Sequence, residues 1–171
     1  YWTVDPHVSF RLGEALTWAG GRAARADHRA LGLMAEADAL RYLGRYAEAM
    51  TSFEEAASEF RRLGDEVGWA RTRIGWVLAS YYVGAAKEAL PVAAQAQAVL
   101  VRHGEWFRAA ALDLNTASVY RRLGRHPAAL RLYDEALTFY EHARAAGPAF
   151  AEQVPLKMAL VTANKANILT L

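Results

Sequence analysis

Residues 43–56 read Leu43-Gly44-Arg45-Tyr46-Ala47-Glu48-Ala49-Met50-Thr51-Ser52-Phe53-Glu54-Glu55-Ala56. A glycine here separates two apolar stripes. Upstream, Leu33, Ala37 and Leu40 recur at three- and four-residue spacing. Downstream, Tyr46, Ala49, Met50, Phe53, Ala56, Ala57 and Phe60 do the same. Both patterns follow a 3.6-residue period, the mark of an amphipathic helix. Gly44 sits where the chain must reverse, and glycine takes φ > 0 as a helix C-cap at no steric cost. The stretch reads as the joint of a helical hairpin.

The joint repeats. Gly44, Gly84 and Gly124 are forty residues apart, and the same step links Leu43, Val83 and Leu123. It also links Ala49, Ala89 and Ala129; Ala56, Ala96 and Ala136; and Phe60, Leu100 and Tyr140. A second junction recurs at Leu63-Gly64-Asp65 and His103-Gly104-Glu105. Such periodicity predicts an array of stacked units, each two helices long. Predicted helices span 6–19, 23–43, 46–63, 66–83, 86–103, 106–123, 126–146 and 155–171. The implied division is one domain: a partial unit at 1–22, units at about 23–64, 65–104 and 105–146, and a partial unit at 147–171. Nine extra residues around 145–154 shift the last unit. Tyr1 at the start and an apolar helical pattern at the end suggest an excerpt of a longer protein.

Composition narrows the chemistry. The chain has 171 residues, of which 37 are alanine and none cysteine. Disulfide scaffolds, thiolate metal sites and cysteine nucleophiles are therefore excluded. A 54% apolar content and a net charge of +2 argue against disorder. No apolar run is long enough to span a bilayer, and no secretory signal opens the chain. These features place the expectation in the cytoplasm. The alanines at 49/89/129 and 56/96/136 lie seven apart on one helix face, where small side chains admit a close neighbour. Pro91 falls inside the fifth predicted helix and should kink it. The five tryptophans, Trp2, Trp18, Trp69, Trp76 and Trp106, read as filler between helices.

The joint Leu43-Gly44-Arg45-Tyr46-Ala47-Glu48-Ala49-Met50-x-x-Phe53-x-x-Ala56 resembles the tetratricopeptide repeat. Leu123-Gly124-Arg125-His126-Pro127-Ala128-Ala129-Leu130-x-x-Tyr133-x-x-Ala136 is similar to it as well. Val83-Gly84-Ala85-Ala86-Lys87-Glu88-Ala89-Leu90 keeps the Glu-Ala-Leu and lacks the aromatics. The usual unit has 34 residues, and this one has forty. The resemblance covers about residues 23–171 and implies an all-α, right-handed superhelical solenoid of antiparallel hairpins. The long units, the Leu-Gly-Arg-Tyr joint and the Asn-rich last helix also look like the N-terminal arrays of bacterial CHAT-domain proteins. That likeness implies an array that regulates a caspase-like or other enzymatic domain of the same chain.

No GxGxxG, GxxxxGK, HExxH or GxSxG motif occurs. The five histidines are not spaced as metal ligands, and adjacent acids such as Glu54-Glu55 point away from each other on a helix. No catalytic, metal or cofactor residue is assigned. Binding is the expectation, carried by the first helix of each unit. Superposed on the repeat motif, Asp38, Arg41 and Tyr42 face a concave groove. So do Arg71, Tyr81 and Tyr82; Asn115, Ser118, Arg121 and Arg122; then Asn164 and Asn167. Met34, Ile74, Leu78 and Leu114 face the same way but read as core between units. Tyrosine and arginine favour interfaces, and asparagine can serve a peptide backbone as donor and acceptor. The expected partner is a protein or peptide, with a domain of the same chain as the alternative. Aromatics do not alternate with a basic face, which argues against nucleic acid. Leu160, Ile168, Leu169 and Leu171 would leave an apolar end open to end-to-end self-association.

Overall fold

The computed structural model describes residues 5–22, 25–147 and 152–170. Trp2, Pro148 and Leu171 lie outside them. Eight helices follow one another: α1 Pro6–Arg22, α2 Ala26–Tyr42, α3 Tyr46–Arg62, α4 Glu66–Tyr82, α5 Ala86–Arg102, α6 Trp106–Arg122, α7 His126–Ala145 and α8 Gln153–Leu169. The fold is the expected all-α superhelical solenoid of antiparallel hairpins. The helices extend to within three residues of their predicted bounds.

Within each forty-residue unit both helix ends turn on glycine. Helices α2 to α6 each have 17 residues. Gly44, Gly64, Gly84, Gly104 and Gly124, spaced every twenty residues, hold φ between 68° and 81°. At each, the glycine N–H bonds back into the last turn, as Gly44 N does to Arg41 O at 3.2 Å. The next residue then closes a longer loop: Arg45 N donates to Leu40 O at 2.9 Å, and Asp65 N to Phe60 O at 2.9 Å. This double closure satisfies the final carbonyls of each helix. Asp65 adds an N-cap, accepting from Gly68 N at 2.7 Å.

Consecutive helices pack side by side, and the even helices also touch in sequence: α2 on α4, α4 on α6, α6 on α8. The odd helices make no comparable contact with one another among the described residues. The stack is therefore joined along its even helices as well as between neighbours. α1 acts as an outer helix against α2. Their faces meet at glycine: a Cβ on Gly32 would stand 2.4 Å from Thr17 Oγ1, and one on Gly13 2.7 Å from Glu36 Cγ.

Alanine lets the odd helices seat on the even ones. Ala49, Ala56, Ala89, Ala96, Ala129 and Ala136 all have no accessible surface. Phe53 and Phe60, then Tyr133 and Tyr140, fill the volume beside them. Where the middle unit has Ala93, the same core cluster contains Trp69 and Trp76.

α5 contains Pro91, which is exposed; the carbonyl it leaves without a partner belongs to exposed Lys87, where water can serve it. Two expectations are corrected. Trp18 is not filler, being 67% exposed with the Arg22 guanidinium 5.1 Å over its ring. It stands on the outer face of α1, on which no described helix packs. Ile168 is buried in the second core cluster, so the exposed apolar groups of α8 are Leu156, Leu160 and Leu169.

The alanine register makes a direct prediction. Ala89→Phe forces an aromatic ring into a fully closed contact and should destabilise the fold by about 1–3 kcal/mol. Chemical denaturation measures it, and an unchanged midpoint would place Ala89 elsewhere.

Candidate functional site at the tyrosine–arginine rim

The forty-residue register carries Tyr42, Tyr82 and Arg122 to equivalent places, at the C-terminal ends of α2, α4 and α6. Arg41, Tyr81 and Arg121 precede them. Because each hairpin turns at these ends, the six residues form a ladder along one rim of the groove. Tyr46, at the first position of α3, joins them from across the turn.

The side chains interlock. The Tyr46 and Tyr82 rings stack in parallel, with centroids 4.0 Å apart and planes 5° apart. Tyr81 meets Tyr82 edge-on at 5.4 Å. The Arg122 guanidinium lies 5.4 Å over Tyr81 and 5.2 Å over Tyr82. That of Arg41 lies 4.2 Å over Tyr42. Each such cation–ring contact in an exposed place contributes about 0.5–1 kcal/mol. The group is nonetheless open to solvent: Tyr42 is 63% exposed and Tyr82 41%. The Tyr46 hydroxyl is held above its usual acidity constant, first by loss of water and then by the neighbouring Tyr82 phenol. Arg41 and Arg122 both act on that hydroxyl in the opposite sense.

Ion pairs occur at both rims, and on the tyrosine rim Arg45 pairs with Glu48 at 2.6 Å. On the far rim, Glu66 pairs with Arg102 and His103, Glu105 with Arg108, and Glu59 with Arg62. On the tyrosine rim, Arg122, Arg121 and Arg125 have no ion-pair partner among the described residues. The Arg121 Nε is buried without an acceptor. Arg41 reaches Asp38 at a long 3.4 Å. Arg41 Nε and Nη2 both donate to Asp38 Oδ1; desolvation raises the Asp38 pKa and Arg41 opposes it.

The other sequence-assigned residues lie away from this rim. Asn115 Nδ2 donates to Ile74 O at 2.7 Å, tying α6 to α4. Its register position is the contact line between even helices, where α4 has Gly75 against Asp38 and Phe53. Ser118 Oγ donates to Leu114 O in its own helix at 2.9 Å. Arg71 sits near the start of α4, at the far rim, half-buried; desolvation and then Arg108 lower its pKa. Asn164 and Asn167 lie on α8, the second of them exposed. Met34 and Ile74 pack against the first core cluster and Leu114 belongs to the second, as core positions.

A family model described as "Soluble NSF attachment protein, SNAP" matches residues 13–170. The chain belongs to this family. No individual curated protein and no solved structure gives a significant match. The sequence reading holds at the level of a helical-repeat family, since the matched family has a tetratricopeptide-like helical fold.

Sequence reasoning missed two buried charged residues. Their signal was the register Leu33, Arg73, Asp113, an apolar position in the first unit and charged in the next two. Arg73 is 1% exposed and well satisfied: Nη1 donates to Glu54 Oε1 at 2.6 Å, Nη2 to Phe53 O at 3.2 Å, and Trp76 lies under the guanidinium at 4.7 Å. Asp113 is 2% exposed and accepts from Gln97 Nε2 at 2.8 Å. Burial, and then the charge of Glu135, push its pKa up to about 8. A carboxyl shifted this far is a usual catalytic candidate. Here it is sealed between α5, α6 and α7, beside core residues. Among the described residues no three acids or histidines gather as a metal site, and no helix is long and apolar enough to cross a membrane.

The Asp113 shift has a defined pH signature. Its folded pKa lies above the unfolded one, so the protonated form favours folding. Stability should be greatest below about pH 4 for this group and fall as pH rises to about 8. Asp113→Asn removes the dependence and should raise stability at pH 8 by more than about 1 kcal/mol, the equivalent of one pKa unit. Denaturant midpoints of both proteins across pH 4–9 test this; parallel curves would refute it. Asn115→Ala loses one inter-helix bond and should cost about 0.5–1.5 kcal/mol, read in the same assay.

Proposed function

We propose that this chain is a non-catalytic scaffold that binds a protein or peptide along the inside of its curve, with the tyrosine–arginine rim as its energetic centre. One observation carries the reading. Tyr46, Tyr81, Tyr82 and Arg122, from three successive units, form one stacked group, and Arg41 lies over Tyr42; Tyr42, Tyr82 and Arg122 are exposed. Tyrosine and arginine are the residue types that dominate protein interfaces. A ring stack fixed in advance also loses little conformational freedom on binding.

The family supports the same class of role. The name of the soluble NSF attachment proteins describes attachment to another protein, NSF. The tetratricopeptide-like joints point the same way. A domain of the same longer chain, such as the caspase-like domain suggested by the CHAT-like joints, would use this same rim. Asp38, Ser118, Arg121, Asn164 and Asn167 extend the proposed surface along the even helices. The exposed apolar groups of α1 and α8 supply the surfaces for end-to-end association.

A photo-crosslinking amino acid at Tyr82 should give a discrete crosslinked product in cells, while the same group at Ala94 on the outer face should not. Arg122→Gln should weaken the complex by about 2 kcal/mol, the size of a hot-spot loss, with unchanged helicity. Equal products from both positions would remove the rim from the binding surface. Crosslinks within the same polypeptide, identified by peptide mapping, would point to the intramolecular partner.

A further inference from the structure

The forty-residue register lets the three hairpins be compared at one place on the far rim. Ala26, Glu66 and Trp106 are equivalent there, as are Glu55, Gln95 and Glu135, and Glu59, Val99 and Phe139. In the first unit the place is filled by charge: Arg29, at the register position of Trp69, pairs with Glu55 and Glu59. In the third it is filled by rings: Trp106 stacks on Phe139 with centroids 6.0 Å apart. The middle unit has neither filler. Val99 carries no carboxylate and no ring, and Glu66 is tied to Arg102 and His103. An open cleft of about 400 Å³ remains, lined by Arg61, Gly64, Glu66, Trp69, Gln95 and Val99. Sites for small molecules are typically about 300–1,000 Å³.

The lining has a definite chemistry. Trp69 is 9% exposed, and its Nε1 has no acceptor among the described residues. The Arg61 guanidinium lies 5.2 Å over the Trp69 ring. Arg61 is exposed and has no ion-pair partner among the described residues. Glu66 is already matched by two basic groups, so the unmatched charge is positive. Val99 and Trp69 supply apolar contact, and Gln95 an amide donor. We propose that this cleft binds a small aromatic monocarboxylate, its ring against Trp69 and Val99 and its carboxylate on the Arg61 guanidinium. A guanidinium fork matches a carboxylate with two parallel bonds. Binding is non-covalent. The cleft lies apart from the tyrosine ladder, so it stands or falls independently of the docking surface there.

The test titrates the whole chain with three probes: naphthoate, the neutral naphthylmethanol of the same shape, and acetate, which lacks the ring. The readout is the Trp69 indole N–H signal and the Gly64 and Gln95 backbone amide signals in nuclear magnetic resonance spectra. Naphthoate should shift all three saturably at millimolar concentration, at least about tenfold more tightly than naphthylmethanol. Acetate should give no saturable shift. Arg61→Gln should weaken naphthoate by about tenfold and leave naphthylmethanol unchanged. Val99→Phe puts in the ring that the third unit has and should abolish binding of both aromatic probes. Should circular dichroism show that Val99→Phe perturbs the fold, Arg61→Gln, at an exposed side chain, decides. Equal affinity for naphthoate and naphthylmethanol, no saturable shift at these three positions, or naphthoate binding that Arg61→Gln leaves unchanged would each overturn the proposal.

Discussion

A glycine held at positive φ every twenty residues sets the geometry on which everything else rests. At Gly44 and its four successors the backbone turns left-handed, and the last carbonyls of one helix are closed before the next begins. An alanine there would meet no neighbour at Gly44, so the constraint is conformational rather than spatial. Because each junction is the same, helices α2 to α6 have the same length. Equal lengths keep the register: residues forty apart in sequence come to equivalent places along the stack. The core alanines and the rim tyrosines are both consequences of that register.

Side-chain size then determines how the layers meet. Fully buried alanines let helices approach, and each approach needs a filler beside it. Phe53 and Tyr133 fill two units, while Trp69 and Trp76 share the cluster with Ala93 in the third. The same logic at smaller scale brings α1 against α2 through Gly13 and Gly32. Removing water from these contacts contributes roughly 25 cal/mol per Å² of apolar surface. It also imposes a penalty on any polar group caught inside, which Arg73 and Asp113 meet in opposite ways. Arg73 keeps its charge by gathering an acid, a carbonyl and an aromatic face. Asp113 has one amide donor and is pushed toward its neutral form.

The architecture was legible because it is written in local patterns: period 3.6 within a helix, glycine at the turns, alanine at fixed steps. The two kinds of joint, at Gly44, Gly84 and Gly124 and at Gly64 and Gly104, were both visible as glycines between apolar stripes. Residue type and register brought Arg41, Tyr42, Tyr81, Tyr82 and Arg122 onto the candidate surface. Tyr46 was read as core, since its stack on Tyr82 crosses a turn and depends on three-dimensional approach. Asn115 was read as a ligand contact for lack of a visible partner; the partner is a backbone carbonyl on the neighbouring helix, which no side-chain pattern reveals. Trp18 and Ile168 were misplaced for a related reason. An end helix has a bare face, and sequence periodicity gives the apolar stripe without saying which flank is covered.

The register also separates structural from functional polarity. At 33/73/113 the chain passes from leucine to arginine to aspartate in the interior, and each charged residue is answered by groups of the fold itself. At 42/82/122 it passes from tyrosine to tyrosine to arginine at the edge. Nothing in the core is completed by these side chains, and substitution there would leave every alanine contact intact. Their mutual stacking orders them without burying them. On the far rim Arg62, Arg102 and Arg108 pair with Glu59, Glu66 and Glu105, while Arg61 lies over the Trp69 ring at 5.2 Å.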